Sequence, residues 1–316
     1  MQLAAACVVA AMAATTLVRA QGVVGVFFTE GWESGSAAGS FNSQSYGRAT
    51  SSQFSVQGGV RAAGSWALQH RLTAGMTGAD IQYATQHFGD AITGPVVPAG
   101  AGQHFFDIYV QYKIYYSPGF DVSNIDKQLI IGTQDNARHD NPCCNPWVAH
   151  YLTVFPVLGT RDLVAEANNK QAASGQWLGF RQNASGYGPG NRFTTRPGEW
   201  HTIEVRRRLN DAGVDNGIFQ LWIDGTLLSD YRNVRYRVPI NGSFGANFEY
   251  GTNFAMISDY TLQPVTRDEI VYYDDIKFST TYIGVGSSPP LPSAPGNLRI
   301  IPPAPGIAWP SGRAHH

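Results

Sequence analysis

Residues 199–237, EWHTIEVRRRLNDAGVDNGIFQLWIDGTLLSDYRNVRYR, limit the folds open to this chain more than any other stretch. Two strand-like runs lie within it, WHTIEVRRRL (200–209) and GIFQLWIDG (217–225). Between them, Asn210 to Asn216 carries the asparagine, aspartate and glycine that close hairpins. In the first run Ile203, Val205 and Leu209 share one face, and Glu204, Arg206 and Arg208 share the other. In the second, Phe219, Leu221 and Ile223 alternate with Gln220, Trp222 and Asp224. Period-two alternation predicts antiparallel strands with one buried and one wet face.

The same signal recurs along the chain. FFDIYVQYKIYY (105–116) is its longest instance: Phe106, Ile108, Val110, Tyr112, Ile114 and Tyr116 face one way, and Asp107, Tyr109, Gln111, Lys113 and Tyr115 the other. Further strands are expected at 65–72, 80–88, 127–134, 147–155, 176–183, 243–251 and 269–284. About a dozen short strands with no amphipathic helix predict an all-β, two-sheet antiparallel sandwich. The abundance of glycine, 35 residues, supplies the turns.

Charge narrows the partners. A net charge of −1 excludes nucleic acid held by bulk electrostatics. Residues 1–20, MQLAAACVVAAMAATTLVRA, read as a secretory signal ending at Val18-Arg19-Ala20, though without a basic n-region. No other apolar run is long enough to span a bilayer. The expected organisation is a signal at 1–20, one domain at 21–285 and a proline-rich linker or tail at 286–316. The protein is thus expected outside the cell or in the periplasm. After cleavage two cysteines remain, Cys143 and Cys144 in NPCCNPW. They can form a strained vicinal ring, stay as buried thiols, or bridge to another chain.

Three stretches together resemble the concanavalin-A-like jelly-roll superfamily, especially secreted bacterial proteins related to polysaccharide lyases. They are FFTEGWESG (27–35), the hairpin pair GEWHTIEVRRRLN and NGIFQLWIDG, and the closing YYDDIKFSTTYIG (272–284). The resemblance implies two curved sheets, the concave one forming a groove for a sugar chain. It departs from the glucanase branch, whose E-x-D-x-x-E strand is absent, so that hydrolase chemistry is disfavoured. The R-x-E-x-R strand and Q-I-H segment of the alginate-lyase branch are absent too.

β-Elimination from a uronate needs a group to neutralise the carboxylate, a base for the C5 proton and an acid for the leaving oxygen. His150 and Tyr151 are the candidates for base and acid. Gln111 and Lys113, with Arg206 and Arg208, are the expected carboxylate clamp, and Tyr109 or Trp222 the stacking platform. The clamp requires 105–116 and 200–209 to turn their polar faces into one groove. Glu30, Glu33, Asp274 and Asp275 are the candidate ligands of a structural calcium ion joining the first and last strands. The function expected is engagement of an extracellular acidic polysaccharide, with cleavage by a lyase reaction. The alternative is a carbohydrate-binding or structural appendage protein without catalysis.

Overall fold

A computed structural model describes residues 24–36, 53–78, 80–81, 83–89, 102–134, 148–156, 163–168, 196–211, 213–234, 236–237 and 251–286. The expected signal, the proline-rich tail beyond 286, Cys143 and Cys144, and the strand expected at 176–183 lie outside those residues, as does the strand expected at 243–251 but for Gly251. The described residues form thirteen strands: β1 (Val26–Glu30), β2 (Phe54–Gln57), β3 (Ala67–Leu72), β4 (Ala84–His87), β5 (Asp107–Tyr116), β6 (Ile125–Gln134), β7 (Val148–Pro156), β8 (Leu163–Asn168), β9 (Trp200–Arg208), β10 (Gly217–Ile223), β11 (Thr226–Val234), β12 (Phe254–Thr261) and β13 (Glu269–Ser279). They form two antiparallel sheets, a jelly-roll sandwich. The eight-stranded sheet runs β11-β10-β9-β5-β13-β3-β2, with β1 also paired to β13. The five-stranded sheet runs β4-β12-β6-β7-β8. No helix among the described residues is long and apolar enough to cross a membrane.

Alternation decides which side of each strand meets the other sheet. Ile108, Val110 and Ile114 of β5 and Ile203 and Val205 of β9 are buried in one cluster with Leu129, Ile131, Ala255 and Ile257 of the smaller sheet. Burying each such aliphatic side chain contributes about 1.5–3 kcal/mol before chain entropy is counted. The β9–β10 hairpin has the expected pairing, Ile203 opposite Ile223 and Val205 opposite Leu221. It continues directly into β11 through Asp224 and Gly225, whose φ angles of 50° and 79° are the left-handed pair of a two-residue type I′ turn. The wet face expected of β10 is not found: all seven of its residues are buried.

The core also holds polar groups that join the sheets. His70 Nδ1 of β3 lies 2.7 Å from Asp259 Oδ2 of β12, and the Tyr273 hydroxyl of β13 donates to Asp259 Oδ1 at 2.5 Å. Asp259 adopts a left-handed φ of 41°, within the irregular stretch where β12 shifts register against β6. Burial, then the Asp259 charge, pushes the Tyr273 phenol far above its ordinary range. Nearby, Tyr112 donates to Gln128 Oε1 at 3.3 Å, and Gln128 donates to the Tyr116 hydroxyl.

Candidate functional site

The outward face of the eight-stranded sheet carries the residues expected to clamp a substrate. β5 lies between β9 and β13, with Tyr109 opposite Arg206, Gln111 opposite Glu204 and Lys113 opposite Thr202. The two polar faces therefore share one sheet. Their charges are already engaged. Arg206 makes a bidentate pair with Asp107, at 2.9 and 2.7 Å, and donates to Gln220 at 3.0 Å. Burial works against its charge, but Asp107 raises its pKa overall. Lys113 Nζ lies 2.9 Å from Asp275 Oδ2, which Lys277 also approaches at 3.4 Å. Burial opposes ionisation of Asp275, and the lysines outweigh it, holding the carboxyl below its ordinary range. Arg208, half-buried, sits at the end of β9 opposite Asp107.

A strap formed by residues 280–286 closes over the middle of this face. Ile283 and Gly284 each donate a backbone N–H to the Glu204 carboxylate at 2.8 Å. Gln111 donates to Glu204 at 3.0 Å and to the Gly284 carbonyl at 2.7 Å. Burial raises the Glu204 pKa despite these donors. Tyr282 packs on Trp222 with ring centroids 5.0 Å apart, and Tyr109 lies 6.2 Å from Trp222. Trp222 is only 4% exposed, so that candidate for stacking is sealed, while Tyr109 stays partly exposed. Tyr109, chiefly through burial, has its phenol pushed up to about 12.

His150 and Tyr151 belong to β7 in the other sheet, across the core from the clamp. The two sets therefore belong to different sheets. Strand register also separates His150 from Tyr151. Tyr151 is opposite Gly132 and His150 is opposite Thr133, and consecutive strand positions belong to opposite faces. Thr133 has the parity of Leu129 and Ile131, which are buried in the core cluster. Tyr151 has the parity of Ile130, on the outward side.

That outward side has a composition that the sequence pattern does not reveal. Following the pairings across the strands gives the row His87, Phe254, Gly132, Tyr151 and Asn168. The adjacent row is Thr85, Met256, Ile130, Thr153 and Glu166. Ile130, Phe254 and Met256 are buried and pack with Tyr83 as a second apolar cluster. His87 is 3% exposed, its ring 6.5 Å from that of Phe254. The histidine was visible in DIQYATQHF, but its row became apparent only with the pairing to β12.

The four acids have separate tasks. Glu30 folds back to accept the Trp32 N–H at 2.5 Å, and Asp275 is held by lysines. Glu33 accepts the Ser65 N–H, and Asp274 Oδ2 accepts those of Ala62 and Ala63 at 2.8 and 3.0 Å. Burial raises the Asp274 pKa. Among the described residues no three acidic, histidine or cysteine groups cluster closely enough to form a ligand set by themselves. Glu33 Oε1 and Asp274 Oδ1 do approach the same spot. A β-carbon placed on Gly31 would lie 3.7 and 3.6 Å from them. Two carboxylate oxygens at one spot suit a hard cation better than four scattered acids would.

The sandwich is a jelly roll similar in fold to solved alginate lyases. Among solved structures it is similar to alginate lyase Aly36B, with a TM-score of 0.51 and 14% identity over 82% of this chain and 98% of that one. A double mutant of that enzyme in complex with an alginate tetrasaccharide gives the same values. The marine PL-14 alginate lyase from Aplysia kurodai matches with a TM-score of 0.49 and 14% identity, over 72% of this chain and 86% of that one. Identity at this level speaks for the fold alone. No family model and no curated protein matches the chain.

Proposed function

We propose that this protein is a secreted polysaccharide lyase that cleaves a uronate-containing chain lying across the outward face of the five-stranded sheet. One observation carries the reading: the register row that holds both His87 and Tyr151, with Phe254 and Gly132 between them. Three strand spacings separate the two backbones, roughly 14 Å, a span on the scale of a few sugar rings. In the reaction, base removal of the C5 proton breaks C5–H, C4=C5 forms and the C4–O bond breaks. The leaving oxygen takes a proton from the acid. His87 and Tyr151 are assigned the base and the acid; because His87 is 3% exposed, the assignment requires the substrate to displace what covers its ring.

The test is absorbance of the unsaturated uronate on a panel of polyuronates and glycosaminoglycans, comparing the parent with Tyr151→Phe and His87→Ala. Product from the parent, lost in both variants, is the expected result. Equal product from all three refutes the assignment. A binding protein without turnover is the second reading, favoured by the apolar character of Ile130, Phe254 and Met256 beside the row. Binding with no product from any substrate would select it.

We further infer one structural calcium ion between Glu33 and Asp274. The approach of both carboxylates to Gly31 supports that pair, whereas Asp275 is committed to Lys113 and Lys277 and Glu30 to Trp32.

A further inference from the structure

Away from the strap, the eight-stranded sheet carries a second row of pairings. Trp200, Tyr115, Tyr272, Gln69 and Ser55 follow one another across β9, β5, β13, β3 and β2. The three aromatic rings are in contact, with centroids 5.5 Å apart for Tyr115–Trp200 and 5.8 Å for Tyr115–Tyr272. The loop joining β2 to β3 reaches back over this row as far as Trp200. Between them is a cleft of about 370 Å³, lined by residues 59–64 and Trp200.

The loop is fixed from beneath. Asp274 accepts the N–H groups of Ala62 and Ala63, and Glu33 accepts that of Ser65. Gly64, at a φ of 56°, lies against the Glu33 carboxylate, where a β-carbon would collide. Arg61 is the one charged side chain among the residues lining the cleft. Its Nε donates to the Gly64 carbonyl at 3.0 Å, and its Nη1 donates to the Gly58 carbonyl. Two of its five N–H donors are therefore used to hold its position, leaving the others for an anion.

We propose that this cleft is a second sugar subsite, which takes the pyranose ring of a uronate on Trp200 with its carboxylate on Arg61. A tryptophan face suits the C–H surface of a sugar ring, and the backbone groups of a glycine-rich loop suit its hydroxyls. The volume lies within the range of small-ligand sites, roughly 300–1,000 Å³. Asp274 and Glu33 keep the loop in place before the ligand arrives, which limits the ordering cost of binding. The cleft and the lyase row lie on opposite surfaces of the sandwich, so the subsite tethers the chain and takes no part in elimination.

Calorimetric titration of the full chain with an alginate tetrasaccharide, and with neutral cellotetraose as control, tests the proposal. The tetrauronate binds more tightly than cellotetraose. Trp200→Ala weakens it about tenfold or more, while Trp200→Phe retains most of the affinity. Arg61→Gln removes the preference for the acidic sugar. Ala63→Phe, at an exposed position that leaves the aromatic row intact, blocks the cleft and binding with it. Parent-like affinity in folded Ala63→Phe and Arg61→Gln, or no binding by the parent, overturns the subsite. Binding that depends on Trp200 in a protein that forms no unsaturated product refutes the lyase reading and leaves the subsite standing.

Discussion

Replacing Glu204 with alanine should detach the strap. The carboxylate, 2% exposed, is the acceptor for the N–H groups of Ile283 and Gly284. Without it both donors remain at a buried surface without that partner, while Gln111 keeps the Gly284 carbonyl. A buried donor left unsatisfied costs about 1–3 kcal/mol. Partial lifting of the strap lets water reach the two groups, which favours a total of about 3 kcal/mol. In a domain of this size that lowers Tm by roughly 6–12 °C. Scanning calorimetry reads the shift, tryptophan emission reports exposure of Trp222, and chymotrypsin cleavage at Tyr282 reports the strap itself. Titration gives a second arm. Because the folded pKa of Glu204 is raised, the folded state binds more protons than the unfolded chain between the ordinary glutamate value and the higher folded one. Its contribution to stability therefore falls as pH rises through that window. Glu204→Gln should flatten this slope. A Glu204→Ala protein that melts within about a degree of the parent, with Tyr282 no easier to cut, would refute the strap's dependence on this carboxylate.

Asp259→Ala leaves His70 and Tyr273 buried without their shared acceptor. A loss of roughly 3–5 kcal/mol is expected by chemical denaturation, and a change below about 1 kcal/mol would contradict the pairing. Calcium should raise the Tm of the parent in a concentration-dependent way, and Asp274→Asn should abolish the rise. An unchanged midpoint with chelator removes the ion. Arg206→Ala breaks a partly buried pair with Asp107 and should cost about 1 kcal/mol, less at high salt. Affinity for acidic polysaccharide should not change; a tenfold loss would restore Arg206 to the substrate clamp.

The strands legible in the sequence were those with two different environments. β5 and β9 bury Ile108, Val110, Ile203 and Val205 and turn polar residues outward, so period two survives. β12 was not legible because Phe254 to Ile257 is apolar on both faces, and the buried Ser258 and Asp259 follow where a turn would be expected. β10 misled in the opposite sense: Gln220 and Trp222 read as wet, yet Arg206 and the strap cover them. The pairing of the clamp residues was hidden for a related reason. Lys113 and Arg206 are suitable cations on a shared face, but their acids, Asp275 and Asp107, become neighbours only through register. For Asp275 that includes the irregularity between Asp274 and Lys277. His87 was overlooked because its row depends on β12.

The bonds of Asp259 to His70 and Tyr273 give the sandwich a mechanical property that apolar packing alone would not. Two greasy faces slide over one another with little directional penalty, as two oiled plates do under shear. A carboxylate on β12 reaching β3 and β13 at 2.7 and 2.5 Å acts as a dowel between the plates, since a displacement of one residue pair breaks both bonds within the core. Gln128, between Tyr112 and Tyr116, is a second dowel on β6. Two pins fix rotation as well as translation. The outward rows on the two sheets are therefore held at one offset, so a sugar chain wrapping from one surface to the other would meet both at a constant spacing.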